Sequence, residues 1–266
     1  MRAHINGFDL VFDDTGAGIP LLFIHGFPLN RKIWQPQAEA LRNTCRVITP
    51  DVRGHGESAA TPGIYEMDLL AEDMAGLLRH LRCGPAIISG HSMGGYILFA
   101  LYRKYPELVR GLILISTRAV ADTAEGKMNR ANLAQRVERE GQQPVVEKML
   151  APMMAAASVR ATPSLQQEVE NMMRSTSIIG IVGASRGMAL REDATAMLAQ
   201  INVPTLILAG TADALISHAE SENMAAAIPN ARLYLLEGVG HLPSLERAEE
   251  VNEVLLRWLR EKLTGN

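Results

Sequence analysis

The sequence predicts an α/β protein built on a mostly parallel sheet, and three observations carry that expectation. Short continuous apolar runs recur along the chain: Leu21-Leu22-Phe23-Ile24, Ala86-Ile87-Ile88-Ser89, Gly111-Leu112-Ile113-Leu114-Ile115 and Thr205-Leu206-Ile207-Leu208-Ala209. Such runs suit strands covered on both faces, as parallel strands are. Stretches with helical spacing of apolar residues separate them, which is the rhythm of strand-helix-strand units. Finally, Gly90-His91-Ser92-Met93-Gly94 joins one apolar run to a helix-type stretch. A strand entering a helix through G-x-S-x-G makes a tight turn that holds a serine hydroxyl above the sheet edge.

A chain of 266 residues, 47% hydrophobic and 21% charged, fits one large domain with an ample core. The net charge of −3 and the lack of a basic stripe argue against nucleic acid or an anionic membrane surface as partner. The start, MRAHINGFDLVF, holds no apolar run long enough for a signal peptide or membrane span. Cys45 and Cys83 lie far apart and outside any metal-ligand spacing. They read as packing residues in a reduced compartment. The expectation is a cytoplasmic protein, monomer or homodimer, with no metal and no organic cofactor.

Asn6-Gly7 marks a hairpin turn, with apolar alternation through Phe12. After the Leu21–Ile24 run comes His25-Gly26-Phe27-Pro28, then a short helix over 34–41 and a strand over Arg46-Val47-Ile48-Thr49. Asp51 to Ser58 is a polar, Gly-punctuated loop. A helix over about 65–81 aligns Leu70, Met74, Leu77, Leu78 and Leu81 on one face. The helix after Ser92 ends at Tyr105-Pro106, since the residue before proline disfavours helix. The strand pattern then stops until about residue 201. This helix-leaning stretch, 118–201, holds Met128, Met149, Met153, Met154, Met172, Met173, Met188 and Met197. It reads as a helical lid inserted into a core of 1–117 and 202–266, with pliable methionines suited to an apolar cavity wall. A helix over 217–227, a strand over 232–236 and a closing amphipathic helix over 248–263 complete the chain.

Ser92, Asp213 and His241 each follow a predicted strand. In a parallel sheet the carboxyl ends of strands share one edge, where ligands bind. A serine hydroxyl is a weak nucleophile at neutral pH and needs an imidazole to take its proton. The imidazole in turn needs a carboxylate to fix its tautomer and to stabilise its charge. These three are therefore the candidate catalytic residues. An oxyanion intermediate needs two converging donors, each worth about 10²–10³ in rate. Met93, next after the serine, supplies one backbone N–H, and Phe27 the other, because Pro28 has none. His25, His55 and His91 read as structural supports. Leu215 and Leu242, beside the acid and base, and Met128 and Met154 in the insertion are the candidate substrate-binding wall.

With HGFP at 25–28, DVRGHGES at 51–58, GHSMGG at 90–95, GTAD at 210–213 and VGHLP at 239–243, the chain resembles the α/β-hydrolase superfamily over nearly its whole length. The order Ser, Asp, His is also that family's. The resemblance implies an α/β-hydrolase fold: an eight-stranded, mostly parallel sheet flanked by helices, with a helical cap between strands 6 and 7. Asp51, Arg53, His55 and Ser58 match a loop that usually braces the oxyanion side. The chain looks most like small carboxylesterases and 3-oxoadipate enol-lactonases. Serine at 92 sets it apart from relatives with an aspartate nucleophile, and His91 stands where carbon–carbon bond hydrolases often carry asparagine. The expected partner is a small ester or lactone, cleaved through an acyl-enzyme. Lactonase, perhydrolase or carbon–carbon hydrolase chemistry and a non-catalytic binding protein are the alternatives.

Overall fold

A computed structural model describes residues 1–263. Eight strands form one sheet: β1 (Arg2–Ile5), β2 (Phe8–Gly16), β3 (Ile19–Ile24), β4 (Cys45–Pro50), β5 (Ala86–His91), β6 (Val109–Ile115), β7 (Thr205–Gly210) and β8 (Ala231–Leu236). Their order is β1-β2-β4-β3-β5-β6-β7-β8. β2 runs antiparallel to its neighbours β1 and β4, whereas the pairs from β4 to β8 are parallel. All six residues of β5 and of β7 are buried, the polar Ser89, His91 and Thr205 included, as in parallel strands covered on both faces.

The helices are α1 (Gln35–Leu41), α2 (Met67–His80), α3 (Met93–Lys104), α4 (Ala124–Glu140), α5 (Gln143–Met149), α6 (Ala156–Ala161), α7 (Pro163–Ser175), α8 (Ile178–Leu190), α9 (His218–Ala227), α10 (Pro243–Glu246) and α11 (Ala248–Leu263). α1 packs on α11, and α2 on α3. The expected helix over 65–81 begins at Met67 instead, because Tyr65 is held outside it. Its N–H donates to Gly183 O (3.0 Å) and its hydroxyl to Thr61 O (2.7 Å). Ahead of α1, Asn30 caps a 3₁₀ turn over Arg31–Trp34, its Oδ1 accepting the Lys32 N–H.

α4 to α8 lie between β6 and β7, so the helical insertion stands where strand patterning lapses. Thr123 and Ser177 cap α4 and α8 by accepting the N–H groups of Gly126 and Gly180. The chain enters and leaves the insertion side by side. Ala194 N–H donates to Ala119 O (2.9 Å), and the buried Asp122 carboxylate takes Arg118 and Arg191 (2.7 Å each) as well as Arg130. Among the described residues no helix is long and apolar enough to cross a membrane.

Candidate active site

Register sets Ile24, Gly90, Leu114 and Ile207 in one row across β3, β5, β6 and β7. Ser92 directly follows β5, Asp213 lies three residues past β7, and His241 five past β8. Parallel strands thus deliver all three to one edge.

Ser92 has φ +52° and ψ −114°, a conformation rare for a residue with a side chain. Its N–H donates to Ile115 O (3.0 Å), and Thr117 Oγ1 donates to its carbonyl (2.8 Å). The turn closes because Gly94 lies against the neighbouring strand. A Cβ there would sit 2.2 Å from Ile24 O, and one at Gly90 would sit 2.4 Å from Gly94 O. The serine is half-buried, while Met93 behind it is fully buried and opens α3. First-turn N–H groups have no partner within their own helix, so the Met93 N–H is available beside Ser92. The loop after β3 passes equally close: a Cβ on Gly26 would lie 3.1 Å from Ser92 Cβ. Phe27, the other expected donor, is the next residue and is buried.

His241 Nδ1 and Asp213 Oδ2 are 2.7 Å apart, and both side chains are buried. Asp213 Oδ1 accepts the N–H groups of Leu215 (2.8 Å) and Ile216 (3.0 Å). Burial pushes this carboxyl up, but the His241 imidazole and the two N–H groups outweigh it and leave it below the usual range. Asp213 is therefore ionised at neutral pH and only accepts. Nδ1 must carry the ring proton, which leaves Nε2 as the basic nitrogen.

Three buried histidines, His25, His55 and His91, are neutral supports. Burial lowers His25 to about 4 and His55 and His91 to about 3. His25 Nε2 accepts the Val52 N–H (2.9 Å), so its Nδ1 donates to Gly26 O (2.9 Å) and shapes the loop beside Ser92. Asp51 accepts the backbone N–H groups of Arg31 and Glu57 (2.8 Å each) and the Arg31 guanidinium. Arg53 forms a two-pronged pair with buried Asp73 (2.7 and 2.8 Å). Ser58 Oγ bridges Val11 N–H and Asp51 O.

Of the expected wall residues, Leu242 and Met154 are buried and Leu215 is half-buried. Met154 lies between Met153, whose carbonyl accepts the His241 N–H (3.2 Å), and Ala155, whose N–H donates to Glu246 (3.0 Å). Met128 departs from the expectation. It is 59% exposed, because α4 turns Leu133, Ala134 and Val137 inward instead. A cavity of about 400 Å³ follows the face of α3 that carries Tyr96, Phe99 and Arg103, and Arg118, Arg191 and Met197 also line it. Ser92, Asp213 and His241 are not among its lining residues. Sequence reasoning passed over Thr117, Arg31 and Glu246. For Glu246 the signal was a carboxylate five residues after the candidate base.

A sheet of this order, a strained serine at a strand-to-helix turn and a carboxylate-bound imidazole at the same edge define a hydrolase class. The chain belongs to the α/β hydrolase fold family, whose model matches residues 19–248. Among solved structures it is similar to an esterase from Thermogutta terrifontis. The two share 40% identity, the match covers 98% of this chain and 99% of that one, and the TM-score is 0.96. It is also similar to the enol-lactonase of Burkholderia xenovorans LB400 (25% identity, 98% and 100% covered, TM-score 0.91). Among curated proteins, 3-oxoadipate enol-lactonase 2 of Acinetobacter baylyi is 26% identical over 88% of this chain and 86% of that protein. The AB hydrolase superfamily protein YisY of Bacillus subtilis is 30% identical over 94% of both chains.

Proposed function

We propose that this protein is a serine hydrolase that cleaves carboxylic esters, with Ser92 as nucleophile, His241 as general base and Asp213 as its carboxylate partner. The observation that carries the reading is the 2.7 Å bond between His241 Nδ1 and the ionised Asp213, at the edge that presents Ser92. Ser92 Oγ bonds to the acyl carbon as Nε2 of His241 takes the hydroxyl proton. The N–H groups of Met93 and Phe27 stabilise the oxyanion. The intermediate collapses, the C–O bond to the alcohol breaks, and His241 returns its proton to the leaving oxygen. Water then attacks the acyl-enzyme, giving a proton to His241, and the acid departs as Ser92 recovers its hydrogen. The helical insertion, residues 118–201, forms the cap over this edge.

Two similar proteins named as enol-lactonases favour a second substrate form, a cyclic ester. The chemistry is the same, but the leaving alcohol stays tethered and one hydroxy acid results. A panel of p-nitrophenyl esters of rising chain length beside five- and six-membered lactones tests the reading. Ester turnover with stoichiometric fluorophosphonate labelling of Ser92 supports esterase action. Fast lactone opening with weak activity on every ester makes the protein a lactonase. Labelling without turnover of either class overturns the catalytic reading.

A further inference from the structure

The loop that carries His241 is held by a residue with no part in the proposed chemistry. The Glu246 carboxylate is buried and takes three backbone N–H groups, each at 3.0 Å. Oε2 accepts from Gly240 and Ala155, and Oε1 from Leu242. The intervening His241 N–H donates to Met153 O (3.2 Å), and the His241 carbonyl accepts from His91 Nε2 (2.7 Å). The backbone of the candidate base is thus fixed on every side. Two of these partners, Met153 O and Ala155 N–H, belong to the helical insertion. The approach is so close that a Cβ on Gly240 would lie 2.4 Å from Ala155 N.

Closing the short helix α10 does not require a charge, since Glu246 N–H already bonds to Leu242 O (2.8 Å). Burying a carboxylate is costly unless its oxygens are met by donors, and here the donors flank one residue. Charge-assisted bonds to backbone N–H are stronger than neutral ones. They hold a loop more stiffly than an amide side chain would.

We infer that Glu246 is a positioning residue. It fixes the ring of His241 through the N–H groups on both sides of it, and it ties that loop to the insertion, so the seat of the insertion is felt at the base. This rests on the reading of His241 as general base.

The test uses the full chain with Glu246→Gln, Ala155→Pro and Ser92→Ala. Glutamine keeps the shape but turns an amide NH₂ toward a backbone N–H, so at least one bond is lost. Ala155 has φ −66°, which proline adopts, so Ala155→Pro removes the insertion's donor and sets the ring Cδ in its place, which displaces Glu246 Oε2 from that side. The readouts are kcat per fluorophosphonate-titrated site, KM, and the low-field proton resonance of the His241–Asp213 bond. In Glu246→Gln, kcat per site falls roughly ten- to hundredfold, the scale of a small misplacement. KM changes less than about twofold, and the resonance shifts or broadens. In Ala155→Pro, kcat falls about three- to tenfold.

Parental kcat per site and an unchanged resonance in Glu246→Gln overturn the positioning role. Parental kcat in Ala155→Pro overturns the tie to the insertion, and it decides the proposal alone if Glu246→Gln does not accumulate as folded protein. Ser92→Ala separates the two levels. Undiminished hydrolysis there sinks the general-base reading itself, whereas loss there beside parental Glu246→Gln sinks only the role of Glu246.

Discussion

His91 and His241 are joined through a main-chain carbonyl. His91 Nε2 lies 2.7 Å from His241 O, and the two rings stand 4.8 Å apart, centroid to centroid. A carbonyl only accepts, so the proton must be on Nε2 of His91. Because burial holds this imidazole neutral down to about pH 3, the bond persists across the working range. His91→Phe keeps a buried ring but leaves the carbonyl without its donor. The expected cost is about 1–3 kcal/mol in urea unfolding, with turnover reduced further than binding. Parental stability and kcat would show that the contact is incidental.

Acid stability follows from the buried histidines. His25, His55 and His91 titrate at about 4, 3 and 3 in the fold, against 6.5 when exposed. As pH falls below 6.5 the unfolded chain binds protons that the folded chain refuses, so stability declines. Each group contributes up to about 1.4 kcal/mol per pH unit. All three act between pH 6.5 and about 4, and only His55 and His91 below that. Urea unfolding at intervals from pH 7 to 4.5 should show a steep loss. A flat profile would mean that these rings are hydrated.

The entry and exit of the insertion depend on Asp122. Burial opposes its charge, but Arg130 and Arg191 prevail and hold it at about 2. A carboxyl depressed in this way stabilises the fold above its ordinary range near 3.8, and that stabilisation is lost as pH falls toward 2. Asp122→Asn leaves the guanidiniums of Arg118, Arg130 and Arg191 without their shared anion. The expected loss is about 3–5 kcal/mol, read as a lowered Tm at pH 7. A Tm within 2 °C or so of the parent would contradict it.

Gly94 is predicted to be irreplaceable. A methyl group there meets Ile24 O at 2.2 Å and His25 O at 2.9 Å, and these are backbone atoms, so no flexible side chain can yield. Gly94→Ala should cost about 3 kcal/mol or prevent soluble accumulation. A folded variant with parental Tm would mean that the turn is looser than described.

Much of this architecture was legible in the residues. Uninterrupted apolar runs such as Leu21–Ile24 and Thr205–Ala209 mark strands buried on both faces, and G-x-S-x-G needs its glycines for contacts within one turn. Candidates at 92, 213 and 241 could be picked because each follows a strand, and sheet direction then decides their common edge. What escaped notice depends on pairs distant in sequence. The Ala155–Glu246 bond spans 91 residues and the Asn30–Ser175 bond 145. Nothing local to Asp122 announces a buried partner, and a carboxylate five residues after His241 does not reveal that it also reaches Ala155. Helix α4 shows the same limit: Met128 and Leu133 are both apolar, and only packing on α8 turns one outward and the other in.

The most direct test is the hydrolysis rate of purified Ser92→Ala and Asp213→Asn beside the parent, on the best ester or lactone of the panel. Loss of Ser92 should remove fluorophosphonate labelling and lower kcat/KM by about 10⁴-fold or more. Asp213→Asn should lower kcat by about 10⁴-fold with the fold intact. Hydrolysis by Ser92→Ala at the parental rate would contradict the account.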